Sequence, residues 1–229
     1  MTPEDRKRAV ALAAAELVED GMQLGLGTGT TVTHLLEVLA EQRRDVAGVP
    51  TSQATATLCR RLGLRLLDPG EVERLDLAID GADELDPALT ATKGGGGALL
   101  REKVVATMAD RFVLIATAEK LVPRLGESFP LPVEVIPFAA GPVQRALTER
   151  GYEVTLRKDA PGEAVRTDNG NHLLDARRAG GIEDPAVEDT WITLLPGVVA
   201  CGLFVDLAER ALLAEEDGTV SVRRPPTGP

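Results

Sequence analysis

The chain has 229 residues, of which 44% are hydrophobic and 27% are charged, with a formal net charge of −11. This composition is typical of a globular protein and argues against general disorder. The negative charge disfavours nucleic acid or an anionic membrane as a partner, but a few cations and backbone N–H groups suffice for a small anionic ligand. The charged N-terminus and the lack of a long apolar run predict a cytoplasmic protein without a membrane span.

The first half of the chain alternates between predicted helices and strands. Thr2, Pro3 and Gly21 suit the N-cap, the first turn and the end of an opening helix. Apolar spacing then predicts strands at 22–27, 46–50, 64–67, 75–80 and 111–116, and helices at 31–44, 53–63 and 98–110. Such alternation across short connections indicates a Rossmann-like α/β domain, with a parallel sheet covered on both faces.

The second half has a different character, which begins where prolines cluster between residues 122 and 138. The segments beyond it are a helix at 141–151, strands at 152–158, 164–168 and 172–176, a helix ending before 195–197, a strand at 198–206 and a hairpin at 210–224. This order predicts a smaller α+β domain of the ferredoxin-like kind. We therefore assign residues 1–128 and 205–224 to the α/β catalytic domain, 129–204 to the small domain, and 225–229 to a disordered tail.

The two cysteines, Cys59 and Cys201, lie far apart in the sequence. Neither belongs to a C-x-x-C pair, and no paired histidines accompany them. We expect both to be reduced thiols in the core, with neither a disulfide nor a zinc site.

Three polar loops follow predicted strands at their C-terminal ends, where open α/β sheets bind ligands. The first loop is GLGTGTT, residues 25–31. Its glycines allow a tight turn, and its threonines bring hydroxyls to the start of a helix, which suits a phosphate. The loop matches neither the dinucleotide fingerprint nor the Walker motif, and on its own it is compatible with a purely structural turn.

The second loop is DGADE, residues 80–84, in which Asp80 and Asp83 flank a turn at Gly81. Both carboxylates are able to face one site. A solvated turn and a metal site are the alternatives, although no histidine is nearby to support a metal.

The third loop is KGGGG, in which Lys93 precedes Gly94–Gly97, and Glu102 follows early in the next helix. Ordering four glycines costs conformational entropy, so the run indicates either a linker or a backbone that approaches a ligand closely. Core-like segments on both sides favour the ligand. Together the three loops provide two aspartates, a lysine, a glutamate and a phosphate cradle, which suits proton transfer at carbon beside a carbonyl.

These motifs, together with TDNGNHLLD at residues 167–175, closely resemble type A ribose-5-phosphate isomerases over nearly the whole chain. The resemblance implies interconversion of D-ribose 5-phosphate and D-ribulose 5-phosphate through an enediolate, in the non-oxidative pentose phosphate pathway. It implies no metal and no other cofactor. It also implies a homodimer or homotetramer, with the small domain providing the oligomer contacts.

By the same resemblance, Glu102 is the base that moves the proton between C2 and C1, and Lys93 stabilises the enediolate oxygen. Asp80 and Asp83 assist ring opening and proton traffic among the hydroxyls. The resemblance assigns substrate binding to the following residues: Lys7, Thr28, Gly29, Thr30, Thr31, Gly81, Ala82, Gly94, Gly95, Gly96 and Lys120. Relatives often have Asp-x-Ser/Thr-Lys at Lys120, whereas this chain has TAEK, which places Glu119 beside that ammonium.

Two other functions fit related folds. A non-catalytic sugar-phosphate sensor would carry an attached helix-turn-helix, and the sequence has none. A coenzyme A transferase-like enzyme would need a glutamate nucleophile, for which Glu102 is the candidate.

Overall fold

The computed structural model describes residues 1–226, which form two compact units. The first unit contains residues 1–82 and 101–120 and the chain from Leu207 onward, and the second contains residues 83–100 and 121–206. Residues 83–100 and 121–128, which the sequence analysis grouped with the α/β domain, thus cluster with the second unit. Of the proposed tail, Pro225 and Pro226 are exposed, and residues 227–229 lie outside the described residues.

The helices and strands are numbered in chain order. The α-helices are α1 (Pro3–Ala15), α2 (Thr30–Glu41), α3 (Gln53–Leu62), α4 (Leu99–Met108), α5 (Ala140–Glu149) and α6 (Pro185–Thr193). The strands are β1 (Gln23–Leu26), β2 (Ala47–Pro50), β3 (Arg65–Leu66), β4 (Leu77–Asp80), β5 (Glu84–Leu85), β6 (Ala91–Thr92), β7 (Phe112–Thr117), β8 (Leu131–Val135), β9 (Glu153–Leu156), β10 (His172–Arg177), β11 (Val198–Cys201), β12 (Leu203–Phe204), β13 (Arg210–Ala214) and β14 (Val220–Arg223). Among the described residues, no helix is long and apolar enough to cross a membrane.

The first unit is built on a seven-stranded sheet in the order β14-β13-β7-β4-β1-β2-β3. All neighbouring strands are parallel except β13 and β14, which form the predicted antiparallel hairpin. The expected parallel α/β sheet is therefore confirmed. The strand order reverses between β1 and β4, and such a switch point opens a crevice at the carboxyl ends of the two strands.

The two faces of this sheet carry side chains of different size. Leu24 and Ile79 belong to an apolar core that includes residues of α1 and α2. On the opposite face, a Cβ added at Gly25 would lie 2.5 Å from Cγ1 of Val105 in α4 and 2.6 Å from Cβ of Ala78. Helix α4 approaches the sheet closely because that position has no side chain.

Both cysteines are buried, as expected, and neither forms a disulfide. Cys59 lies in the same core as Leu24, and burial raises the pKa of its thiol to about 11. The thiol therefore stays protonated and unreactive at neutral pH.

The second unit contains an antiparallel sheet in the order β11-β8-β10-β9. The chain runs through it as β8-α5-β9-β10-α6-β11, which is the ferredoxin-like arrangement that the sequence analysis expected. A smaller sheet in the order β12-β6-β5 belongs to the same unit.

A buried glutamate stabilises the hairpin that carries the TDNGN motif. Glu134 lies in β8 with no exposed surface, and its Oε1 accepts hydrogen bonds from Thr167, Asn169 and Asn171. The polar residues of this motif thus bind one oxygen of a buried carboxylate, which offsets part of the cost of burying the charge.

Several predicted elements differ from the structure. The strand at 164–168 is wrong, because this segment forms only isolated bridges at Ala164 and Arg166. The strand at 198–206 is divided at Gly202, where an added Cβ would lie 2.6 Å from the carbonyl oxygen of Lys93. The opening helix ends at Ala15, well before Gly21. Strand β8 was not predicted, since Pro132 lies within it and proline disfavours strand pairing.

Candidate active site

The polar loops of the first unit lie at one edge of its sheet. Strands β1, β4 and β7 are parallel, so their carboxyl ends share that edge. The segment Gly27–Thr31 follows β1, Asp80 ends β4, and a 3₁₀ helix at Ala118–Lys120 follows β7. The expected convergence of the first two loops at the switch point is therefore present.

Asp80 and Gly27 are in unusually close contact at this edge. Asp80 is 2% exposed, and a Cβ added at Gly27 would lie 2.2 Å from its Oδ1. The same oxygen accepts hydrogen bonds from the backbone N–H of Thr28, at 3.0 Å, and of Gly81, at 2.7 Å. One carboxylate oxygen thus fixes the backbone of both loops, and only glycine at position 27 leaves room for it.

The Thr28 hydroxyl is directed into the protein. It lies 2.7 Å from the hydroxyl of Thr51, 2.9 Å from that of Ser52 and 3.1 Å from that of Thr55. Thr55 in turn donates to the carbonyl of Gly27 at 2.8 Å. This hydroxyl cluster holds the loop from below, so Thr28 contributes to loop shape through its side chain.

Helix α2 begins at Thr30, two residues after Thr28. Its N-cap residue is Gly29, with φ of 121° and no side chain to cap the helix. Thr30 is exposed and Thr31 is partly exposed. Thr30 and Thr31 thus lie at the start of α2, the end of the helix at which the helix dipole is positive.

An ion pair joins α1 to the segment that contains Lys120, and Lys7 forms another ion pair within α1. Arg6 of α1 donates to Glu119 at 2.7 Å, so the carboxylate beside Lys120 pairs with Arg6. Lys7 forms an ion pair with Glu4 at 2.7 Å. Hydrogen bonds lower the pKa of Glu4 below its ordinary value, with the bond to Lys7 having the larger effect and the bond to His34 the next.

Glu102 lies in the first turn of α4 and is 5% exposed. One narrow void in the first unit is lined by Glu102 and Asp80, together with Gly25, Gly27 and Thr51. The close approach of α4 at Gly25 thus carries Glu102 to the carboxyl ends of β1 and β4. Glu102 and Asp80 are thus two buried carboxylates that line the same narrow void.

In the second unit, Lys93 extends the short strand β6 and is 3% exposed. Its backbone N–H donates to the carbonyl of Gly202 at 2.9 Å, and its ammonium lies 5.6 Å from the centre of the Phe204 ring. The ring face stabilises a cation that burial would otherwise disfavour. The side chain of Lys93 is therefore held in place by β12, the neighbouring strand.

Asp83 stabilises the glycine loop of the second unit. Its Oδ2 accepts a hydrogen bond from the Gly95 N–H at 2.7 Å. A Cβ added at Gly95 would lie 2.5 Å from Oδ1 of Asp83 and 2.9 Å from the ring of Phe129. Gly94 has φ of 105° and Gly97 has φ of 82°, which favour glycine at both positions. The run of glycines is thus a tight turn that packs against Asp83 and Phe129 at Gly95 and leaves Gly96 exposed, and a flexible linker is excluded.

Two further residues hold this region and were missed by the sequence analysis. Arg157 donates from one terminal nitrogen to the carbonyls of Gly94, at 2.9 Å, and Gly95, at 3.0 Å, while its other nitrogens bind Asp175. Glu84 is 1% exposed and accepts hydrogen bonds from the backbone N–H groups of residues 126, 128 and 129. The sequence signal for Glu84 was the DGADE motif that contains it. The signal for Arg157 was indirect, because its partner Asp175 lies in the TDNGNHLLD motif.

The predicted site residues are therefore distributed over both units. The first unit contains Lys7, Thr28, Gly29, Thr30, Thr31, Asp80, Gly81, Ala82, Glu102 and Lys120; the second contains Asp83, Lys93, Gly94, Gly95 and Gly96. Within residues 1–226, no group of three or more His, Cys, Asp or Glu side chains is arranged to hold a metal ion.

Comparison with protein families identifies one match that covers most of the chain. The family model for ribose 5-phosphate isomerase A (phosphoriboisomerase A) matches residues 47–218. Ribose-5-phosphate isomerase A of Rhodopseudomonas palustris (strain HaA2) is 46% identical over 98% of this chain and 100% of that protein. The enzyme of the same name from Thermomicrobium roseum is 49% identical over 95% of this chain and 93% of its own length.

Solved structures give the same result. Ribose 5-phosphate isomerase A from Methanocaldococcus jannaschii superposes with a TM-score of 0.92 at 38% identity, covering 97% of this chain and 100% of that one. A D-ribose-5-phosphate isomerase in complex with phospho-erythronic acid superposes with a TM-score of 0.94 at 33% identity, covering 98% and 100%.

The contact between Gly27 and Asp80 is open to a direct test. We expect Gly27→Ala to lower the free energy of unfolding by about 1–3 kcal/mol, because the new methyl group overlaps the buried carboxylate. Urea unfolding measures this change. Gly141→Ala in α5 is the control, since its nearest neighbour would be Arg145 at 3.6 Å, and it should leave the stability unchanged or slightly higher. Equal stability of Gly27→Ala and the wild type would show that Asp80 moves aside without cost.

Proposed function

Because the chain belongs to the ribose 5-phosphate isomerase A family, we infer that it interconverts D-ribose 5-phosphate and D-ribulose 5-phosphate by moving a proton between two carbons. The observation that carries this inference is the buried Glu102, which lines one void with Asp80. A sugar-phosphate sensor would have no need of a buried general base. A coenzyme A transferase is disfavoured because the matches over nearly the full length are to isomerases.

We propose that the phosphate binds at the start of α2. The backbone N–H groups of α2 and the hydroxyls of Thr30 and Thr31 provide donors, and the helix dipole favours the anion. Lys7 and Lys120 supply positive charge at the same edge. Lys120 is available for this role because Glu119 pairs with Arg6, whereas Lys7 would exchange its bond to Glu4 for one to the phosphate.

In the proposed reaction, Glu102 removes the proton from C2 of the open-chain aldose. The electron pair of the broken C–H bond forms the C1–C2 double bond, and the carbonyl oxygen at C1 becomes the enediolate oxygen. Lys93 stabilises that negative charge as it develops. A proton then moves between the oxygens at C2 and C1, and Glu102 returns its proton to C1 to give the ketose. No redox cofactor enters this balance.

Asp80 and Asp83 have two tasks in this proposal. Each accepts backbone hydrogen bonds that shape a loop, Asp80 from Thr28 and Gly81, and Asp83 from Gly95. Each would also bind sugar hydroxyls and assist ring opening, with Gly81, Ala82, Gly94 and Gly96 completing the substrate contacts.

The site and the composition support a cytoplasmic enzyme of the non-oxidative pentose phosphate pathway, and we propose that location and role. We also propose a homodimer or homotetramer that associates through the second unit. Phe138 is 93% exposed, Leu194 is 76% exposed and Ile136 is 41% exposed. The Ile136 N–H donates to the carbonyl of Gly197, so these side chains surround one turn. Such a group of exposed apolar side chains is typical of a protein–protein interface.

The reaction itself is tested by incubating the protein with ribose 5-phosphate and measuring ketose. Glu102→Gln keeps the shape of the side chain but removes the base, so kcat should fall at least about 10²-fold. The variant should also fail to exchange the C2 proton with deuterated solvent. Glu16→Gln, a change at the exposed C-cap residue of α1, should keep full activity, and a chelator should leave the wild type active. Near wild-type isomerisation by Glu102→Gln would exclude it as the base.

The phosphate position is tested by two threonine variants with different expected results. Thr31→Val should raise KM far more than it lowers kcat, because phosphate contacts persist unchanged through the reaction. Thr28→Val should instead lower stability by about 1–3 kcal/mol, because it removes the hydroxyl that pairs with the buried hydroxyl of Thr51 at 2.7 Å. Steady-state kinetics and urea unfolding separate the two effects. An unchanged KM for Thr31→Val would remove this residue from the phosphate site.

The oligomer contact is tested by placing a charge in the proposed interface. Phe138→Glu should convert the oligomer to smaller species in sedimentation and light-scattering measurements, because a carboxylate is costly to bury in an apolar interface. Val222→Glu is the matched control, since Val222 is also an exposed apolar residue, at 49%, but lies in β14. If Phe138→Glu keeps the wild-type mass, the interface lies elsewhere.

A further inference from the structure

One arginine of the second unit donates hydrogen bonds to the backbone of the glycine loop. Arg157 follows β9, and one of its terminal nitrogens donates to two successive carbonyls, those of Gly94 at 2.9 Å and Gly95 at 3.0 Å. Its side chain is only 16% exposed. The two bonds reach across 63 and 62 residues of sequence, so they are long-range contacts specific to the folded unit.

The guanidinium is itself held in a fixed orientation. Its Nε donates to Oδ2 of Asp175 at 2.9 Å, and its second terminal nitrogen donates to Oδ1. Asp175 lies in β10, next to β9, and its side chain is 19% exposed. A bidentate pair between planar groups fixes the direction of the remaining nitrogen, and a lysine ammonium does not reproduce that geometry.

The two carbonyl bonds determine where the N–H groups of the loop point. In a trans peptide the C=O and the N–H point to opposite sides, and the described chain contains no cis peptide. When the carbonyls of Gly94 and Gly95 face Arg157, the N–H groups of Gly95 and Gly96 face away from it. The Gly95 N–H accordingly meets Asp83, at 2.7 Å. Successive N–H groups on one side of a turn form a concave donor surface that binds negative oxygen.

We propose that Arg157 is a positioning residue for the isomerisation, which holds the Gly95 and Gly96 N–H groups toward the side of the loop that carries Asp83. This inference rests on the proposed function, in which that side of the loop binds the sugar. Arg157 itself does not touch the substrate. It acts by keeping the peptide planes of the loop in the orientation in which the Gly95 N–H bonds Asp83 and the Gly96 N–H lies on the same side.

The experiment compares Arg157→Lys with Arg178→Lys. Arg178 belongs to the same unit and also pairs with a carboxylate, that of Glu188 at 3.1 Å, but it has no bond to the glycine loop. Arg157→Lys should lower kcat/KM about 10²-fold, as expected for donors misplaced by about 1 Å. It should weaken the binding of phospho-erythronic acid, yet leave inhibition by inorganic phosphate unchanged. Arg178→Lys should alter neither.

Two further measurements separate positioning from general damage. Hydrogen exchange of the peptide that contains Gly94–Gly97 should accelerate in Arg157→Lys and stay at the wild-type rate in Arg178→Lys. In Arg157→Ala, guanidinium chloride at millimolar concentration should restore part of the activity, whereas sodium chloride should not.

The outcomes are distinct. Wild-type kcat/KM and wild-type exchange in a folded Arg157→Lys would overturn the inference. A parallel loss of phosphate inhibition and substrate turnover would also overturn it, because that pattern indicates a purely structural role. If the wild type does not isomerise ribose 5-phosphate, the proposed function fails, and the hydrogen-exchange comparison still decides whether Arg157 orients the loop.

Discussion

The contact between Gly27 and Asp80 is the constraint on which the first unit depends. A buried carboxylate needs hydrogen-bond donors, and Asp80 obtains them from the backbone N–H groups of Thr28 and Gly81. Those bonds exist only because position 27 has no side chain. One carboxylate consequently holds the backbones of the two loops at the switch point together. It also fixes the loop that leads into α2. The same absence of a side chain at Gly25 brings α4 close to the sheet.

The chain uses carboxylates both as chemical groups and as structural centres. Glu84 accepts hydrogen bonds from three backbone N–H groups. Glu134 accepts them from three polar side chains of one hairpin. Glu188 accepts them from Arg150, Tyr152 and Arg178. Each of these buried anions accepts hydrogen bonds from several donors, which offsets part of the cost of placing charge in a core. The phosphate donors proposed at the start of α2 are local and largely backbone, so a net charge of −11 does not oppose the binding of an anionic sugar there.

The sequence allowed the alternation of strands and helices, the three polar loops and the catalytic candidates to be predicted, because each depends on residues close together along the chain. The structural roles of Arg157 and Glu84 were not predicted, because the backbone groups that they bind lie 42 to 63 positions away along the chain. Strand β8 was not predicted because Pro132 opposes strand formation locally. The pairing of β8 with the neighbouring strands β10 and β11 outweighs that local preference. Thr28 was placed correctly in its loop, but the direction of its hydroxyl depended on the distant Thr51, Ser52 and Thr55.

The pairing of β6 with β12 has a consequence for how the chain folds. Lys93 is held by a strand at Leu203–Phe204, and the parallel sheet of the first unit is completed by β13, further still along the chain. Closing such long loops is entropically costly and slows folding. During synthesis, the ammonium of Lys93 lacks its aromatic neighbour until Phe204 has been made, and β7 lacks its outer partner until β13 has been made. Fragments that end before β13 therefore expose an open sheet edge at β7, which favours association with chaperones.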